Sequence, residues 1–160
     1  ADIRESHPTR VAGTAVFMHK DPNGTPPALL HNLKHNRVLH RRVILLSVVT
    51  LDVPYLTDDD RLSIVKVADD LYKIVASYGF AESPHVPSIL EGCEESGLTF
   101  DMMQTTFFLS HETLVAQQKG GMARWRQQLF GRMYRNSLQP TAYFGIPPNR
   151  VVELGMQVQL

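Results

Sequence analysis

The stretch PPALLHNLKHNRVLHRRVILLSVVTLD, residues 26–52, predicts a helix that is followed directly by a buried strand. The helix has a good start, because Thr25 offers a capping hydroxyl and Pro26 stands where a missing backbone donor costs little. Leucines recur through it at helical spacing, and we predict that it ends at about Asn36 or Leu39.

The apolar run after this helix, from Arg42 to Leu51, is rich in β-branched residues. Such a run is typical of a strand that is covered on both faces. Residues 11–19, VAGTAVFMH, predict an earlier buried strand. Strand, helix and strand in this order, with no room for a hairpin, predict a parallel pair joined by a right-handed crossover. The two strands should therefore form the centre of a sheet.

The rest of the chain adds a hairpin and further helices to this centre. Two β-rich runs, 61–67 and 71–80, are separated by three residues and predict an antiparallel hairpin. The other predicted elements are a short helix within 83–97 that stops at Gly97, a strand at 105–110, a long helix at 122–139, a last helical turn within 146–155 and an edge strand at 158–160. The fold class is therefore α/β: a mixed sheet with a parallel βαβ centre and an antiparallel hairpin, with helices packed on the sheet. We interpret the polar residues 1–10 as a linker and residues 11–160 as one domain.

Composition places the chain among ordinary globular domains. Its 160 residues are 43% hydrophobic and 20% charged, which suffices for one core. No segment reaches the roughly 18–20 apolar residues that a membrane-spanning helix needs, and the single cysteine, Cys93, excludes an internal disulfide. The charges are segregated, since residues 51–112 carry three basic and twelve acidic residues between two basic flanks. This pattern predicts surfaces with different partners or simply a polar exterior.

The predicted helix carries His31 and His35 four residues apart, so that both lie on one face and could belong to a metal site. Position 32 is Asn rather than the Glu of a HExxH hydrolase motif, and no third ligand has a suitable spacing. We therefore predict no metal. The predicted polar face, which could contact a partner, consists of His31, Asn32, His35 and Asn36. Alternatively, hydrogen bonds to neighbouring loops, which would also close the helix C-terminus, come from Asn32, His35, Asn36 and His40.

The loop before this helix is a candidate anion site. Asn23, Gly24 and Thr25 follow a predicted parallel strand, and ligands of such folds bind where a strand feeds a helix. Lys34 and Arg37 would supply positive charge for a nucleotide or another anion. The chain contains neither the GxGxxG nor the P-loop pattern, so an ordinary tight turn is the alternative.

No set of residues in the sequence predicts catalysis. The nucleophile-elbow pattern GxSxG is absent, and the adjacent Ser110, His111 and Glu112 would point in alternating directions from a strand. We therefore predict no catalytic residue, no cofactor and no enzyme. A stand-alone small α/β enzyme stays as an alternative that a pocket with perturbed carboxylates or histidines would favour.

The predicted helix at 122–139 is basic and amphipathic. Its candidate membrane- or partner-facing residues are Arg124, Trp125, Arg126, Arg132 and Arg135. Such a helix can lie on anionic lipid or meet an acidic partner. Alternatively, its apolar stripe packs on the core and its arginines are solvated or pair with the acidic middle segment. Nucleic acid is not predicted as a partner, because the chain is neutral and lacks an RNA-binding aromatic signature.

Three segments together resemble one family: RVAGTAVFM at 10–18, PALLHNLKHNRVLHRRVILL at 27–46 and IPPNRVVELGMQVQL at 146–160. They are similar to the cytosolic C-terminal domain of the Kup (KUP/HAK/KT) family of bacterial potassium uptake transporters. The matching order continues through VASYGF at 75–80, TTFFLSHETL at 105–114 and MARWRQQLF at 122–130. One departure is Ala12, where the family often has proline.

The resemblance implies a parent protein in the bacterial inner membrane that carries potassium inward together with protons. This chain would be its soluble regulatory and assembly domain on the cytoplasmic face, with residues 1–10 as the tether. The implied partner is the membrane domain of the same polypeptide; a second copy of the domain (a homodimer) and a nucleotide ligand are further candidates. The ion site would belong to the membrane domain, so no potassium-coordinating residue is carried over.

Overall fold

In the part of the chain that the structure describes, six strands form one mixed sheet. The structure is a computed structural model and describes residues 8–57, 61–115 and 140–159. In chain order the elements are β1 (Thr9–Met18), α1 (Pro27–His31) continued by a π-helical turn (Asn32–Asn36), β2 (Val38–Leu51), β3 (Leu62–Ala68), β4 (Leu71–Gly79), α2 (Val86–Gly92) continued by a 3-10 turn (Cys93–Ser96), a 3-10 turn (Met102–Gln104), β5 (Thr105–Val115), a helical turn (Pro140–Tyr143), a 3-10 turn (Pro148–Arg150) and β6 (Val151–Gln159).

The strand order across the sheet is β3-β4-β2-β1-β5-β6. Every neighbouring pair is parallel except β3 and β4, which are antiparallel. This arrangement confirms the predicted mixed sheet with a parallel βαβ centre and an antiparallel hairpin. From β1 the chain passes to β2 on one side, whereas from β5 it passes to β6 on the other side. The strand order therefore reverses between β1 and β5, and the carboxyl ends of the strands at such a reversal are where parallel α/β folds commonly bind ligands.

The two faces of the sheet have separate cores because successive strand residues point to opposite sides. In β1, Ala15 and Phe17 lie on the α1 side, while Val16 and Met18 lie on the α2 side. The α1-side core consists of Ala15, Phe17, Ala28, Leu29, Leu39, Val43 and Phe108. The larger α2-side core includes Val16, Ile44, Leu46, Ile74, Val86, Ile89, Leu90 and Phe107. Cover on both faces confirms the interpretation of the continuous apolar run in β2.

The hairpin turn and the end of the second helical segment agree with the sequence predictions. The hairpin turn between β3 and β4 includes Asp70, whose φ is 58°, and Val65 pairs with Lys73 across the two strands. The helical segment that begins with α2 ends at Gly97, whose φ of 81° is a left-handed value that glycine adopts at no steric cost.

The helix and strand of the opening stretch meet earlier than predicted, since β2 begins at Val38 and not at Arg42. Arg37 adopts a left-handed conformation with φ 53°, and its N–H donates to the carbonyl oxygen of Asn32 at 3.1 Å. The Asn32 side chain in turn donates to the carbonyl oxygen of Val38 at 2.8 Å. The chain therefore reverses at Arg37 and can pair with β1 at once, beginning with the bond from Thr9 N to Arg37 O at 2.9 Å.

The C-terminal segment is a strand, so the helical turn predicted within 146–155 was wrong beyond its first residues. One 3-10 turn at Pro148–Arg150 is followed directly by β6, which pairs in parallel with β5 from Val151 to Gln159. The reason is that β5 offers a free backbone edge and the first residues of β6, Val151 and Val152, favour an extended chain. The edge strand predicted at 158–160 is the end of this longer strand. The long basic helix predicted at 122–139 lies outside the described residues.

Candidate functional site

The loop between β1 and α1 lies at the carboxyl edge of the sheet, beside the point where the strand order reverses. Asp21 folds this loop, because its carboxylate accepts from the N–H of Asn23 at 2.9 Å and its carbonyl accepts from the N–H of Gly24 at 3.1 Å. A Cβ at Gly24 would lie 2.7 Å from Nε2 of His19, so a larger residue here would require the His19 side chain to move. The predicted turn at Asn23 and Gly24 is therefore present, with Asn23 and Thr25 exposed.

Several backbone donors of this loop are already used. The amides of Asn23 and Gly24 donate to Asp21, and Pro26 and Pro27 have no N–H. Farther along, the amides of Leu29 and Leu30 both donate to the carbonyl oxygen of Pro26. An anion at this loop would therefore need side-chain donors in addition to the backbone.

Lys73 of β4 contacts the loop, with its Nζ 3.4 Å from Oδ1 of Asn23. Lys34 lies on the turn that follows α1, and Arg37 lies beside the start of β1, where its carbonyl accepts from Thr9. Since β1 runs from this end to the loop, Arg37 and the loop are at opposite edges of the sheet, roughly 30 Å apart at about 3.3 Å per strand residue. The structure therefore brings Asn23 together with Lys73 and places Arg37 at the far end of β1 from the loop.

The polar face predicted on the helix divides into two parts. Asn32 is buried and donates to Val38 O, while Asn36 donates to Oδ1 of Asn32 at 2.8 Å, so these two amides hold the turn that leads into β2. His31 and His35 are exposed, with ring centroids 5.5 Å apart. Among the described residues no three His, Cys, Asp or Glu side chains are grouped so that they could hold a metal ion.

His40 differs from the expectation that it hydrogen-bonds a neighbouring loop. Its Nδ1 atom is buried and has no hydrogen-bond partner in the described part of the chain. The ring packs edge-on to Phe108, with centroids 5.9 Å apart. Burial lowers the pKa of His40, because a charged imidazolium would lose its hydration there. The backbone carbonyl oxygen of His40 accepts from the Arg10 guanidinium at 3.0 Å.

One polar cluster in the described residues, around Arg61 and Glu82, was not predicted from the sequence. The Glu82 carboxylate accepts from the guanidinium of Arg61 at 2.9 Å and from the backbone N–H groups of Gly79 at 2.6 Å and Leu56 at 3.2 Å. The same guanidinium donates to the Leu56 carbonyl at 3.1 Å and lies 4.8 Å above the ring of Tyr78. We call the Arg61–Glu82 pair and these bonds the brace. It ties β3, the loop after β2 and the end of β4 into one unit.

The brace makes stability depend on pH. The hydrogen bond from Arg61, followed by that from Gly79, lowers the pKa of Glu82 below its ordinary value of 4.5. A carboxylate with a lowered folded-state pKa stabilises the protein above pH 4.5 and loses that contribution as the pH falls through the folded-state pKa. The Glu82→Gln variant should have a lower urea midpoint than the parent at pH 7, and the difference should shrink as the solution is acidified below pH 4.5.

The matched control is Glu91→Gln, because Glu91 is an exposed carboxylate on α2. Its urea midpoint should follow that of the parent at every pH, since exposed charges contribute little. A difference between Glu82→Gln and the parent that stays constant, or grows, on acidification would contradict the role given to the brace.

A further group with a perturbed pKa in the described residues is the Cys93 thiol. It is buried in the α2-side core, donates to the carbonyl oxygen of Ile89 at 3.1 Å and has its pKa raised to about 11 by burial. A thiol with such a pKa is not a nucleophile at neutral pH, so Cys93 is a core residue. The basic residues predicted on the helix at 122–139, from Arg124 to Arg135, lie outside the described residues.

The described part of the chain is thus an α/β domain whose sheet has a separate core on each face. No helix among the described residues is long and apolar enough to cross a membrane. The chain belongs to the family of K+ potassium transporter C-terminal domains, whose model matches residues 12–160. This match confirms the resemblance that the three sequence segments predicted.

Relatives with strong similarity bear the same name. The chain is 51% identical over 153 residues to a probable potassium transport system protein Kup of Myxococcus xanthus, covering 96% of this chain and 23% of that protein. It is 51% identical over 154 residues to the probable Kup protein of Thiobacillus denitrificans, covering 96% of this chain and 24% of that protein. The corresponding protein of an Azoarcus species is 50% identical over 156 residues, with 98% and 24% covered.

The chain therefore spans about a quarter of the length of the curated relatives that it matches. These relatives are named as potassium transport proteins and not as enzymes, which fits the prediction that the chain is not an enzyme. No solved structure matches the chain.

Proposed function

We propose that this chain is the regulatory and assembly domain of a potassium transporter and that it lies at the cytoplasmic face of the bacterial inner membrane. The observation that carries the proposal is the family match over residues 12–160 in a chain that spans about a quarter of its relatives' length. The transported ion would be potassium, carried inward together with protons by the membrane part of the same polypeptide.

The two-sided core supports a role as a separate domain. Fully buried residues such as Phe17, Ile44 and Phe107 lie on both faces of the sheet, so the domain has its own hydrophobic core. A domain with its own core can act on the membrane part through surface contacts. Regulation and assembly are functions of that kind, whereas ion conduction would require the domain to line a pathway through the bilayer.

Deletion of residues 11–160 from the full-length transporter tests this proposal. We expect rubidium uptake per molecule of transporter in the membrane to fall severalfold, or the assembled transporter to be lost from the membrane, because contacts from the domain would be missing. The control is the full-length protein with Val67→Ser, which changes only an exposed side chain on β3. Unchanged uptake and unchanged assembly after the deletion would contradict the proposal.

We also propose, as a second candidate function, that the loop at Asn23, Gly24 and Thr25 binds a nucleotide or another anion with the help of Lys73. The supporting observations are the position of the loop beside the reversal of strand order and the ammonium group 3.4 Å from Asn23. The ammonium group of Lys73 would supply positive charge beside the loop.

Titration calorimetry with adenosine monophosphate and with cyclic dinucleotides tests the second candidate. We expect Lys73→Ala to weaken binding about tenfold, which corresponds to about 1.4 kcal/mol. Lys66→Ala is the matched control, because Lys66 is an exposed lysine of the neighbouring strand that pairs with Asp69 at 3.0 Å. No heat with any of these nucleotides, or equal loss in both variants, would overturn this candidate.

A further inference from the structure

Four large apolar side chains are exposed at the carboxyl ends of β2 and β4. The exposed fraction is 38% for Leu51, 40% for Val53, 73% for Tyr55 and 63% for Phe80. We call these four residues the apolar corner. Scattered single exposed apolar residues are normal on a protein, but two exposed aromatic rings grouped with two aliphatic side chains indicate an interaction surface.

The backbone beneath the apolar corner is held by the sheet edge. The N–H of Phe80 donates to the carbonyl oxygen of Val53 at 2.8 Å, and the N–H of Ala81 donates to that of Pro54 at 3.1 Å. Gly79 lies so close to this loop that a Cβ on it would be 2.6 Å from the backbone nitrogen of Tyr55. The segments that carry Tyr55 and Phe80 are therefore joined to each other.

The brace also fixes the two segments that carry Tyr55 and Phe80. Glu82 accepts from the N–H groups of Gly79 and Leu56, which are the neighbours of Phe80 and Tyr55 in the chain. Arg61 closes the arrangement by bonding both Glu82 and the Leu56 carbonyl. An apolar surface whose backbone is already ordered loses little conformational entropy on binding, which favours its use as a docking site.

Charge identifies the kind of surface that would fit the apolar corner. Asp52 is exposed between Leu51 and Val53, and the sequence from 51 to 60 contains four aspartates and no lysine or arginine. Complementarity of potential therefore calls for a basic partner with apolar groups of its own.

We propose that the apolar corner docks on the basic loops at the cytoplasmic side of the membrane-embedded part of the same polypeptide. The proposal rests on the proposed function and adds the contact surface to it. About three-quarters of the length of the relatives lies outside the part that this chain matches, which leaves a large partner on the same polypeptide. Short cytoplasmic loops of membrane proteins carry an excess of Lys and Arg, which is the charge that the corner requires.

The same charge argument disfavours two other occupants. The cytoplasmic leaflet is anionic and would repel an acidic surface. A symmetric dimer through this corner would place each acidic patch against its own copy, because a twofold interface uses the same surface on both subunits. Like charges at such a contact weaken binding. The basic loops of the membrane part are therefore the partner that we assign to the apolar corner.

Photocrosslinking in the full-length transporter, in its native membrane, tests the assignment. The photoreactive residue p-benzoylphenylalanine replaces Phe80 in one variant and Tyr55 in a second, both at exposed positions where an aromatic ring is already present. The matched control carries it at Val67, which is 55% exposed on β3 near the opposite end of the hairpin. Mass spectrometry then identifies the peptide joined to each probe.

We expect positions 80 and 55 to join to Lys- or Arg-containing loop peptides of the membrane part, at several times the yield at position 67. Adducts with lipid, adducts with a second copy of the chain, equal yields at position 67, or no adduct would each overturn the assignment. If deleting the domain abolishes uptake but the crosslinks show any of these results, the regulatory role is supported and only the docking surface is rejected. If uptake and assembly are unchanged after the deletion but the expected adducts form, the regulatory role is rejected and the docking surface is supported.

Discussion

Replacement of Phe17 by alanine is expected to lower the free energy of unfolding by about 3–5 kcal/mol, the usual range for removing a fully buried phenylalanine. Phe17 has no exposed surface and lies on β1, in the middle of the sheet. Its ring stacks on Phe108 of β5 with centroids 4.6 Å apart. The variant loses the free energy gained by burying the Phe17 ring. It also loses the contacts of that ring with Phe108, because the surrounding strands cannot close the cavity.

The matched control for Phe17→Ala is Phe80→Ala. The same side chain is removed, but Phe80 is 63% exposed, so the free energy of unfolding should change by no more than about 0.5 kcal/mol. Urea unfolding of the two variants beside the parent chain measures both changes. Similar losses in the two variants would mean that burial in the sheet does not determine the contribution of these rings.

Gly79→Ala is the second substitution with a large expected effect, about 1–3 kcal/mol of destabilisation or somewhat more. A Cβ at this position would collide with the backbone of Pro54 and lie 2.6 Å from the nitrogen of Tyr55. The obstacle is backbone and not the end of a flexible side chain, so the loop after β2 would have to move. That movement would also disturb the bonds from Phe80 N to Val53 O and from Leu56 N to Glu82.

Gly155→Ala is the control for this substitution, because nothing lies within 4 Å of a Cβ built on Gly155 of β6. Alanine there should leave the urea midpoint close to that of the parent, or raise it slightly by restricting the unfolded chain. A Gly79→Ala variant that is as stable as Gly155→Ala would show that the loop after β2 can yield freely. The apolar corner would then lack the ordered backbone on which its docking role depends.

Most strands could be predicted because their signals are local. The β-branched run in β2, the alternation in β4 and the left-handed stop at Gly97 each depend on residues close together in the chain. The C-terminal strand could not be predicted in the same way. The two prolines before Asn149 favour a helical start locally, yet the free edge of β5 pairs with Val151 and its successors.

The candidate sites also combine features that local sequence predicts with contacts that only the tertiary structure determines. The turn at Asn23 and Gly24 could be predicted, since asparagine and glycine favour turns wherever they are adjacent. Lys73 is fifty residues away from Asn23 in sequence, and Arg61 is twenty-one residues away from Glu82. Alternation in β4 indicates which face of the sheet Lys73 lies on, but its contact with the loop depends on the neighbouring position of β2 and β4.

Propensity and hydrophobic period therefore specify which segments of this chain become strands and helices, and the three matched segments identify its family. Strand order and the placement of individual side chains depend on long-range packing. Phe17 and Phe80 are the same residue at the ends of similar β-rich runs, yet one is buried between strands and the other lies on the surface. The difference arises because β1 lies between β2 and β5 and its two faces are covered by α1 and α2, whereas β4 ends at Gly79 and leaves its next residue beyond the sheet.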